Sequence, residues 1–471
     1  MQVNLLNNDT ICAIATPHGM GAIATVRVSG PEAFPIVASL FQQHGRPTDV
    51  ETIVSHKVLH GLLVDNGETL DEVLVTFFKA PHSFTGEDSA EISVHGSVFI
   101  QQKLLQVLIA HGCRMAEAGE FTRRAFVNRK FDLAQAEAIA DLISSESEAA
   151  HRVAINQLKG GFSKELQVMR SKLLEMTSLI ELELDFSEED VEFADRSQLK
   201  ALLQETLTHV DKLKDSFRLG NAIKNGIPVA IVGQTNTGKS TLLNAFLGED
   251  RAIVSDIAGT TRDTIEETLN INGILYRFID TAGLRNTDET IEKIGIERSY
   301  RKIAEANVVI GMLDATTGYE SMLSATNDIR YKVDMAIQQL ILCINKVDTL
   351  ADHGEALLGD LRLDLDNDDI MVICLSAKHG FGLNDLYNAL KHSQPLAAPD
   401  ATLVTNIRHY EALLHASESL ISVQQELEMN IPTDLISQDL RQALHYLGSI
   451  TGEITTDEVL GTIFSRFCIG K

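Results

Sequence analysis

Gly233-Gln-Thr-Asn-Thr-Gly-Lys-Ser240 decides how the rest of this chain is read. It fits the pattern Gly, four residues, Gly-Lys-Ser. The apolar run Val229-Ala-Ile-Val232 precedes it, and Thr241-Leu-Leu-Asn-Ala-Phe-Leu247, helical in pattern, follows. Strand, glycine-rich turn and helix are the setting a phosphate-binding loop requires. Glycines let successive N–H groups converge on an anion, and the helix N-terminus adds partial positive charge. In that setting Lys239 reaches the β- and γ-phosphates and Ser240 holds Mg²⁺ through its hydroxyl. Taken alone, the match also describes an ordinary glycine turn before a helix.

Working downstream removes that alternative. Ser255-Asp-Ile-Ala-Gly-Thr-Thr-Arg-Asp263 is a polar loop that can close over a nucleotide, with Thr261 offering a second hydroxyl to Mg²⁺. The strand Leu275-Tyr-Arg-Phe-Ile279 leads into Asp280-Thr-Ala-Gly283, an acid for the Mg²⁺ water shell and a Gly N–H for the γ-phosphate. Leu340-Ile-Leu-Cys-Ile344 delivers Asn345-Lys-Val-Asp348, whose Asp can accept from guanine N1–H and the 2-amino group, a pair adenine lacks. Ile370-Met-Val-Ile-Cys-Leu375 ends in Ser376-Ala-Lys378, suited to the other edge of the base. Five motifs at successive strand ends imply a doubly wound sheet that binds and hydrolyses GTP. The expected nucleotide set is Asn236, Thr237, Gly238, Lys239, Ser240, Thr241, Ser255, Asp256, Ile257, Ala258, Gly259, Thr260, Thr261, Asp280, Thr281, Ala282, Gly283, Asn345, Lys346, Val347, Asp348, Ser376, Ala377 and Lys378.

Two residues modify that chemistry. Leu284 stands where Ras-type enzymes place a water-orienting Gln, so another group must orient water. Asn236 sits inside the phosphate loop. Its amide oxygen either ligates a monovalent cation that replaces an arginine finger, or hydrogen-bonds the loop itself.

Upstream, residues 1–124 alternate short apolar runs with turns: Ile11–Ala15, Ala22–Val28, Glu72–Phe78 and Ala90–Val94, with a helix over Val98–His111. An α+β domain follows. Arg27 and Glu91 in these strands read as a structural ion pair, and Glu120 as a helix-start acid near the macrodipole. Residues 125–220 are helical: Phe131–Ile143, then a long pattern after Gly160-Gly161 to about Asp185, then Ser197 to Leu219, ending at Gly220. Helical pattern returns over His409–Met429, Asp434–Ser449 and Thr456–Ser465. A nucleotide domain, 221–395, therefore interrupts a helical domain formed by 125–220 and 396–471. The end, Cys468-Ile-Gly-Lys471, is no prenylation box, since Gly470 is not aliphatic and no basic run precedes it. It either reaches into a site or is a disordered tail.

Composition sets bounds. No apolar run is long enough for a membrane span, and the first residues lack a signal peptide's pattern. Five dispersed cysteines suggest reduced thiols in a cytoplasmic protein. A net charge of −26 opposes non-specific adhesion to nucleic acid, so an RNA substrate needs a local basic patch or a more basic partner.

End to end, the chain resembles the MnmE (TrmE) family of tRNA modification GTPases. The resemblance is carried by Ser83-Phe-Thr-Gly-Glu-Asp88, Asp132-Leu-Ala-Gln-Ala-Glu-Ala-Ile-Ala-Asp141, Asp256-Ile-Ala-Gly-Thr-Thr-Arg-Asp263, Ile294-Gly-Ile-Glu-Arg298 and Cys468-Ile-Gly-Lys471. It implies a folate-binding, dimerising α+β domain over 1–124, a discontinuous helical domain, and an inserted Ras-like G domain activated by K⁺. It implies a homodimer that joins the FAD protein MnmG in a heterotetramer. Together these act on tRNA, adding an aminomethyl or carboxymethylaminomethyl group at C5 of the wobble uridine. The carbon comes from 5-formyl- or 5,10-methylene-tetrahydrofolate. By motif, Asn236, Ser255, Ile257 and Thr260 match K⁺ ligands, and Ser240 and Thr261 match Mg²⁺ ligands. Glu292 matches the acid that orients water. Arg27, Glu91, Lys130 and Lys471 match folate contacts, which displaces the purely structural reading of the first two. Cys468 joins Lys239 and Glu292 as a catalytic candidate. The family usually has Pro before the loop asparagine, and here Thr235 stands there. The rivals from other classes are a ribosome-assembly GTPase switch and a scaffold that binds GTP without turnover.

Overall fold

The computed structural model describes residues 9–185, 196–250, 267–279, 303–365, 370–392, 402–429, 431, 433–465 and 467–470. The chain divides into two compact units. One holds 1–143, 155–212 and 411–471; the other holds 144–154 and 213–410.

The first unit begins with an eight-stranded mixed sheet. Its strands are β1 (Ile11–Ile14), β2 (Ile23–Ser29), β3 (Phe41–Gln43), β4 (Arg46–Pro47), β5 (Val58–Asp65), β6 (Glu68–Phe78), β7 (Ser89–His95) and β8 (Arg114–Met115), in the order β4-β3-β5-β6-β7-β2-β1-β8. Strand alternation sorts its side chains onto two faces. Ala24, Val26 and Val28 of β2, with Val73, Val75, Ala90 and Ile92, pack beneath α1 (Ala33–Leu40) and α2 (Val98–Ala110). Thr25 and Arg27 alternate with them onto the other face. Helix α3 (Glu120–Val127) follows the sheet.

The helical part of this unit comprises α4 (Leu133–Ile143), α5 (Glu148–Leu158), which runs on from the second unit, α6 (Gly161–Asp185) and the first part of α7 (Arg196–Asn225). The buried apolar residues described in α6 are Phe162, Leu166, Met169, Leu173, Met176 and Ile180. Their alternating spacing of four and three residues is a heptad seam.

The second unit carries a six-stranded sheet: β9 (Ile227–Gly233), β10 (Glu267–Ile271), β11 (Ile274–Phe278), β12 (Val308–Asp314), β13 (Gln339–Asn345) and β14 (Met371–Cys374), ordered β10-β11-β9-β12-β13-β14. Only the β10–β11 edge pair is antiparallel. Its central strands are buried on both sides, which explains their unbroken apolar runs. Val229, Ile231, Val308, Ile310, Ile341 and Cys343 face one core. Ala230, Val232, Val309, Leu313, Leu340 and Leu342 face the other. Around the sheet stand α8 (Lys239–Asp250), α9 (Tyr319–Arg330), α10 (Glu355–Leu365) and α11 (Leu383–His392).

The chain ends with α12 (Ile407–Glu428), α13 (Thr433–Thr451) and α14 (Asp457–Phe464). On α13, Ile436, Leu440, Ala443, Leu447 and Ile450 repeat the heptad spacing, and α13 packs along α6. Leu460 and Phe464 of α14, with Phe467, close on Leu133 and Ala136 of α4.

One helix end differs from expectation. Helix α7 does not stop at Gly220 but continues to Asn225. Gly220 is small for another reason: a Cβ there would overlap the Val404 carbonyl, which crosses the helix at that point. No described helix is long and apolar enough to cross a membrane.

Candidate functional site

The described nucleotide motifs, 233–240, 345–348 and 376–378, stand at the carboxyl ends of β9, β13 and β14, where doubly wound sheets bind ligands. The phosphate loop turns between β9 and α8. Asn236 holds a left-handed φ of +62°, a conformation asparagine tolerates better than most residues. Gly238 has φ +96°, and a Cβ there would overlap Asn345 Nδ2. The loop is thus too close to the next motif for any side chain at 238. Thr237 Oγ1 donates to the Gln234 carbonyl at 2.9 Å. The Lys239 ammonium lies inside the loop, donating to the Gly233 carbonyl at 2.8 Å and the Gln234 carbonyl at 2.6 Å. It therefore stands beside the converging N–H groups. Ser240 and Thr241 open α8.

Asn345 ties the site together. Its Nδ2 donates to the Thr237 carbonyl at 2.8 Å, and its Oδ1 accepts from Ala377 N–H at 3.0 Å. One side chain thereby joins the phosphate loop to the Ser376-Ala-Lys378 turn. Lys346, at φ +65°, extends its ammonium to Asp314 at 2.5 Å. Val347 is fully buried, fixing the turn that presents Asp348. The neighbouring Ser376 hydroxyl, and then His379 and Lys378, hold the Asp348 carboxyl below the usual carboxylate range. It is ready to accept hydrogen bonds in its ionised form. Ser255, Asp256, Ile257, Ala258, Gly259, Thr260, Thr261, Asp280, Thr281, Ala282, Gly283 and Glu292 lie outside the described residues, as does Lys471.

A second constellation forms on the face of the first sheet away from α1 and α2, where Phe121 of α3 packs against Ile11 and Ala13 of β1. Strand register sets Arg27 of β2 directly opposite Glu91 of β7. Arg27 Nε and Nη2 donate to Glu91 Oε1 at 3.0 and 2.8 Å. The two side chains are 17% and 32% exposed, so the pair is reachable from solvent. The guanidinium lies 4.9 Å from the Phe84 ring centroid and 5.6 Å from that of Phe121. On the same face Thr25 Oγ1 and Ser93 Oγ are 3.4 Å apart. A charged pair, two hydroxyls and the Phe84 ring suit a ligand that is part ring system and part polar, while the fully buried Phe121 backs the guanidinium from within. Lys130 is exposed and donates to the Pro81 carbonyl at 2.9 Å, so it is not among the residues gathered at Arg27.

The loop of Ser83-Phe-Thr-Gly-Glu-Asp88 is built into the protein. Thr85 Oγ1 and Ser29 Oγ are 2.7 Å apart, and Ser29 Oγ donates to Glu87 at 2.8 Å. Glu87 accepts from Arg124 at 3.2 Å.

Glu120 is not a simple helix-start acid. It is 1% exposed and accepts from Arg114 at 2.6 Å, Arg124 at 3.1 Å and Glu117 N–H at 2.8 Å. Burial alone would raise its pKa, but Arg114, Glu117 N–H and Arg124 together hold it below the ordinary value. Sequence reasoning missed this hub because Asp9, which pairs with Arg114 at 2.6 Å and Arg124 at 2.8 Å, stands more than a hundred residues away.

The chain's end is seated, not loose. Ala118 and Ile469 form an antiparallel bridge, and Gly119 N–H donates to the Cys468 carbonyl at 3.4 Å. Gly470, at φ +97°, sits so close to β1 that a Cβ would overlap the Ile14 carbonyl. Ile14 pairs with Val26, next to Arg27. The Cys468 residue is exposed, while Cys12, Cys113 and Cys343 are buried.

Comparison with known proteins gives one consistent picture. The family model of the TrmE N-terminus of GTP-binding proteins matches residues 10–130, and that of the MnmE helical domain matches 133–468. The chain is 50% identical over 470 residues to the tRNA modification GTPase MnmE of Flavobacterium johnsoniae, covering 99% of this chain and 100% of that one. It is 49% identical over 468 residues to the protein of the same description from Bacteroides fragilis, with the same coverage. Among solved structures it is similar to an Aquifex aeolicus Era variant bound to GDP·AlF4⁻, at 28% identity, 41% of this chain, 66% of that chain and a TM-score of 0.28.

Proposed function

The chain belongs to the MnmE (TrmE) family of tRNA modification GTPases, and from that premise we propose that it is a K⁺-activated enzyme that couples GTP hydrolysis to carbon transfer onto the wobble uridine. It is a GTP hydrolase acting in tRNA modification. The finer reading has four parts: 1–124 binds a 5-formyl- or 5,10-methylene-tetrahydrofolate and dimerises, 125–220 with 396–471 forms the helical domain, 221–395 is the G domain, and MnmG supplies the flavin. It works in the cytoplasm as a homodimer that joins MnmG.

In the G domain, the loop N–H groups and Lys239 bind the phosphates, and Asp348 with Asn345, Lys346 and Ser376–Lys378 reads guanine. Ser240 and Thr261 would hold Mg²⁺, and Asn236, Ser255, Ile257 and Thr260 would hold K⁺; when bound, the two ions would supply positive charge against that building on the β- and γ-phosphates. Glu292 positions the attacking water in place of the residue at Leu284. In the other unit Arg27, Glu91, Lys130 and Lys471 bind the folate, and Cys468 serves the carbon chemistry.

The observation that carries the nucleotide half is the Asn345 bridge between Thr237 and Ala377, because it joins the phosphate and base motifs into one preformed cradle. The seated tail beside β1 supports the folate half. Hydrolysis measured in KCl and in NaCl tests the mechanism: the expected outcome is a rate at least tenfold higher in KCl, and equal rates sink it.

A further inference from the structure

The first turn of α3 touches both halves of the carbon-transfer region. Its Gly119 N–H meets the Cys468 carbonyl, and Phe121, two residues on, lies against the Arg27 guanidinium. Between them Glu120 accepts from Arg114, Arg124 and Glu117 N–H, the last of which fixes the 117–119 turn that forms the tail's seat. Arg124 then reaches outward. It donates to Asp9 Oδ1 at 2.8 Å, to the Asp9 carbonyl at 2.8 Å and to Glu87 at 3.2 Å. Glu87 belongs to the loop that places Phe84 under Arg27, and it also accepts from Ser29 on the same strand as Arg27. A continuous set of charge-assisted bonds thus runs from the tail seat to the Arg27 cradle, with its centre 1% exposed.

A buried ion network is weak evidence for stability, because desolvation offsets much of its Coulomb gain. Its geometric value is different: Asp9, Glu87 and Glu120 share the guanidiniums of Arg114 and Arg124, so a shift of one group disturbs the others. We infer that Glu120 and Arg124, supported by Asp9, Glu87 and Arg114, are positioning residues that hold the Cys468 tail in register with the Arg27–Glu91 cradle. This inference rests on the proposal that the cradle and Cys468 serve carbon transfer. The side-chain hydrogen bonds of these five residues run to one another, to Ser29 and to backbone, not to Arg27, Glu91 or Cys468. They act through the 117–119 turn and the 83–88 loop, as a supporting shell holds a site within a fraction of an ångström.

The test uses the full-length protein with its flavoprotein partner. Three readouts are taken: tRNA modification, GTP hydrolysis, and hydrogen exchange of the Gly119 amide, which donates to the Cys468 carbonyl. Glu120→Gln keeps the shape and removes the charge. The expected result is at least a tenfold loss of modification kcat with KM for tRNA unchanged, exchange at Gly119 at least tenfold faster, and GTP hydrolysis within twofold of wild type. Gly470→Ala, which unseats the tail without touching the network, is expected to give the same pattern. A folded Glu120→Gln protein with wild-type Gly119 exchange and wild-type modification overturns the inference. If Glu120→Gln does not fold, Glu87→Gln at the solvent-reaching end of the network decides in its place, on the same criteria. Cys468→Ser and Arg27→Ala separate the two levels. If both retain full modification, the underlying reading of the region fails and the inference goes with it. If both are inactive while Glu120→Gln and Glu87→Gln behave as wild type, only the inference fails.

Discussion

At the scale of single residues, Asn345 and Gly238 show what a motif leaves unsaid. Spacing identifies Asn345 as part of a guanine motif, but its carboxamide spends both ends on protein, at Thr237 and Ala377. That bridge spans 108 positions and has no local pattern to betray it. Gly238→Ala puts a methyl group onto Asn345 Nδ2 at a positive φ, costing about 1–3 kcal/mol of strain in the loop. GTP affinity measured by titration is expected to fall at least tenfold, while Thr235→Pro, away from that contact, is expected to leave it within threefold. Asn236 was legible as special, and its left-handed backbone supplies one reason for asparagine. On the proposed cation role, Asn236→Ala is expected to abolish KCl stimulation while leaving nucleotide binding within fivefold. Arg27 and Glu91 were readable as a pair from strand pattern alone, since both lie on the polar phase of their strands. Glu120 was not, because its partner Arg114 comes from β8 and Asp9, which shares the guanidiniums of Arg114 and Arg124, from the start of the chain.

At the scale of elements, the strong periodic segments were legible and the ends were not. The apolar runs at β9, β13 and β14 announce strands buried on both faces. The pattern cannot say that Gly220 sits in mid-helix, because a close backbone crossing and a helix stop call for the same residue. Asp132-Leu-Ala-Gln-Ala-Glu-Ala-Ile-Ala-Asp141 gains a physical reading. Asp132 and Gln135 cap each other's N–H groups at 2.8 and 3.0 Å, and Leu133 and Ala136 receive Leu460, Phe464 and Phe467. The motif anchors the helix from which the Cys468 tail departs. The α6–α13 seam holds the helical part together. Leu173, fully buried in that seam, is expected to cost about 2–5 kcal/mol on replacement by Ala, read by thermal or urea unfolding. GTP hydrolysis by the folded Leu173→Ala protein is expected to stay near wild type.

At the scale of the whole molecule, charge and pH come to the front. A net charge of −26 opposes non-specific adhesion to a phosphate backbone. The acidic groups of the Glu120 network also set a pH limit. Glu120 and Asp9 both titrate below their ordinary values of 4.5 and 3.8 in the folded chain. A lowered carboxylate pKa means the folded state binds protons less readily than the unfolded one. Its stabilising contribution is complete above the ordinary values and is lost as pH falls through the lowered ones. Unfolding curves taken downward from pH 6 are expected to show this loss below about pH 4.5, and Glu120→Gln is expected to flatten it. The measurement that bears most directly on the central claim is nucleoside analysis of wobble uridine in tRNA from cells lacking this protein. The account predicts that the C5 aminomethyl or carboxymethylaminomethyl group disappears and returns with the wild-type gene, but not with Lys239→Ala or Cys468→Ser. Unchanged C5 modification in the deletion strain would contradict it.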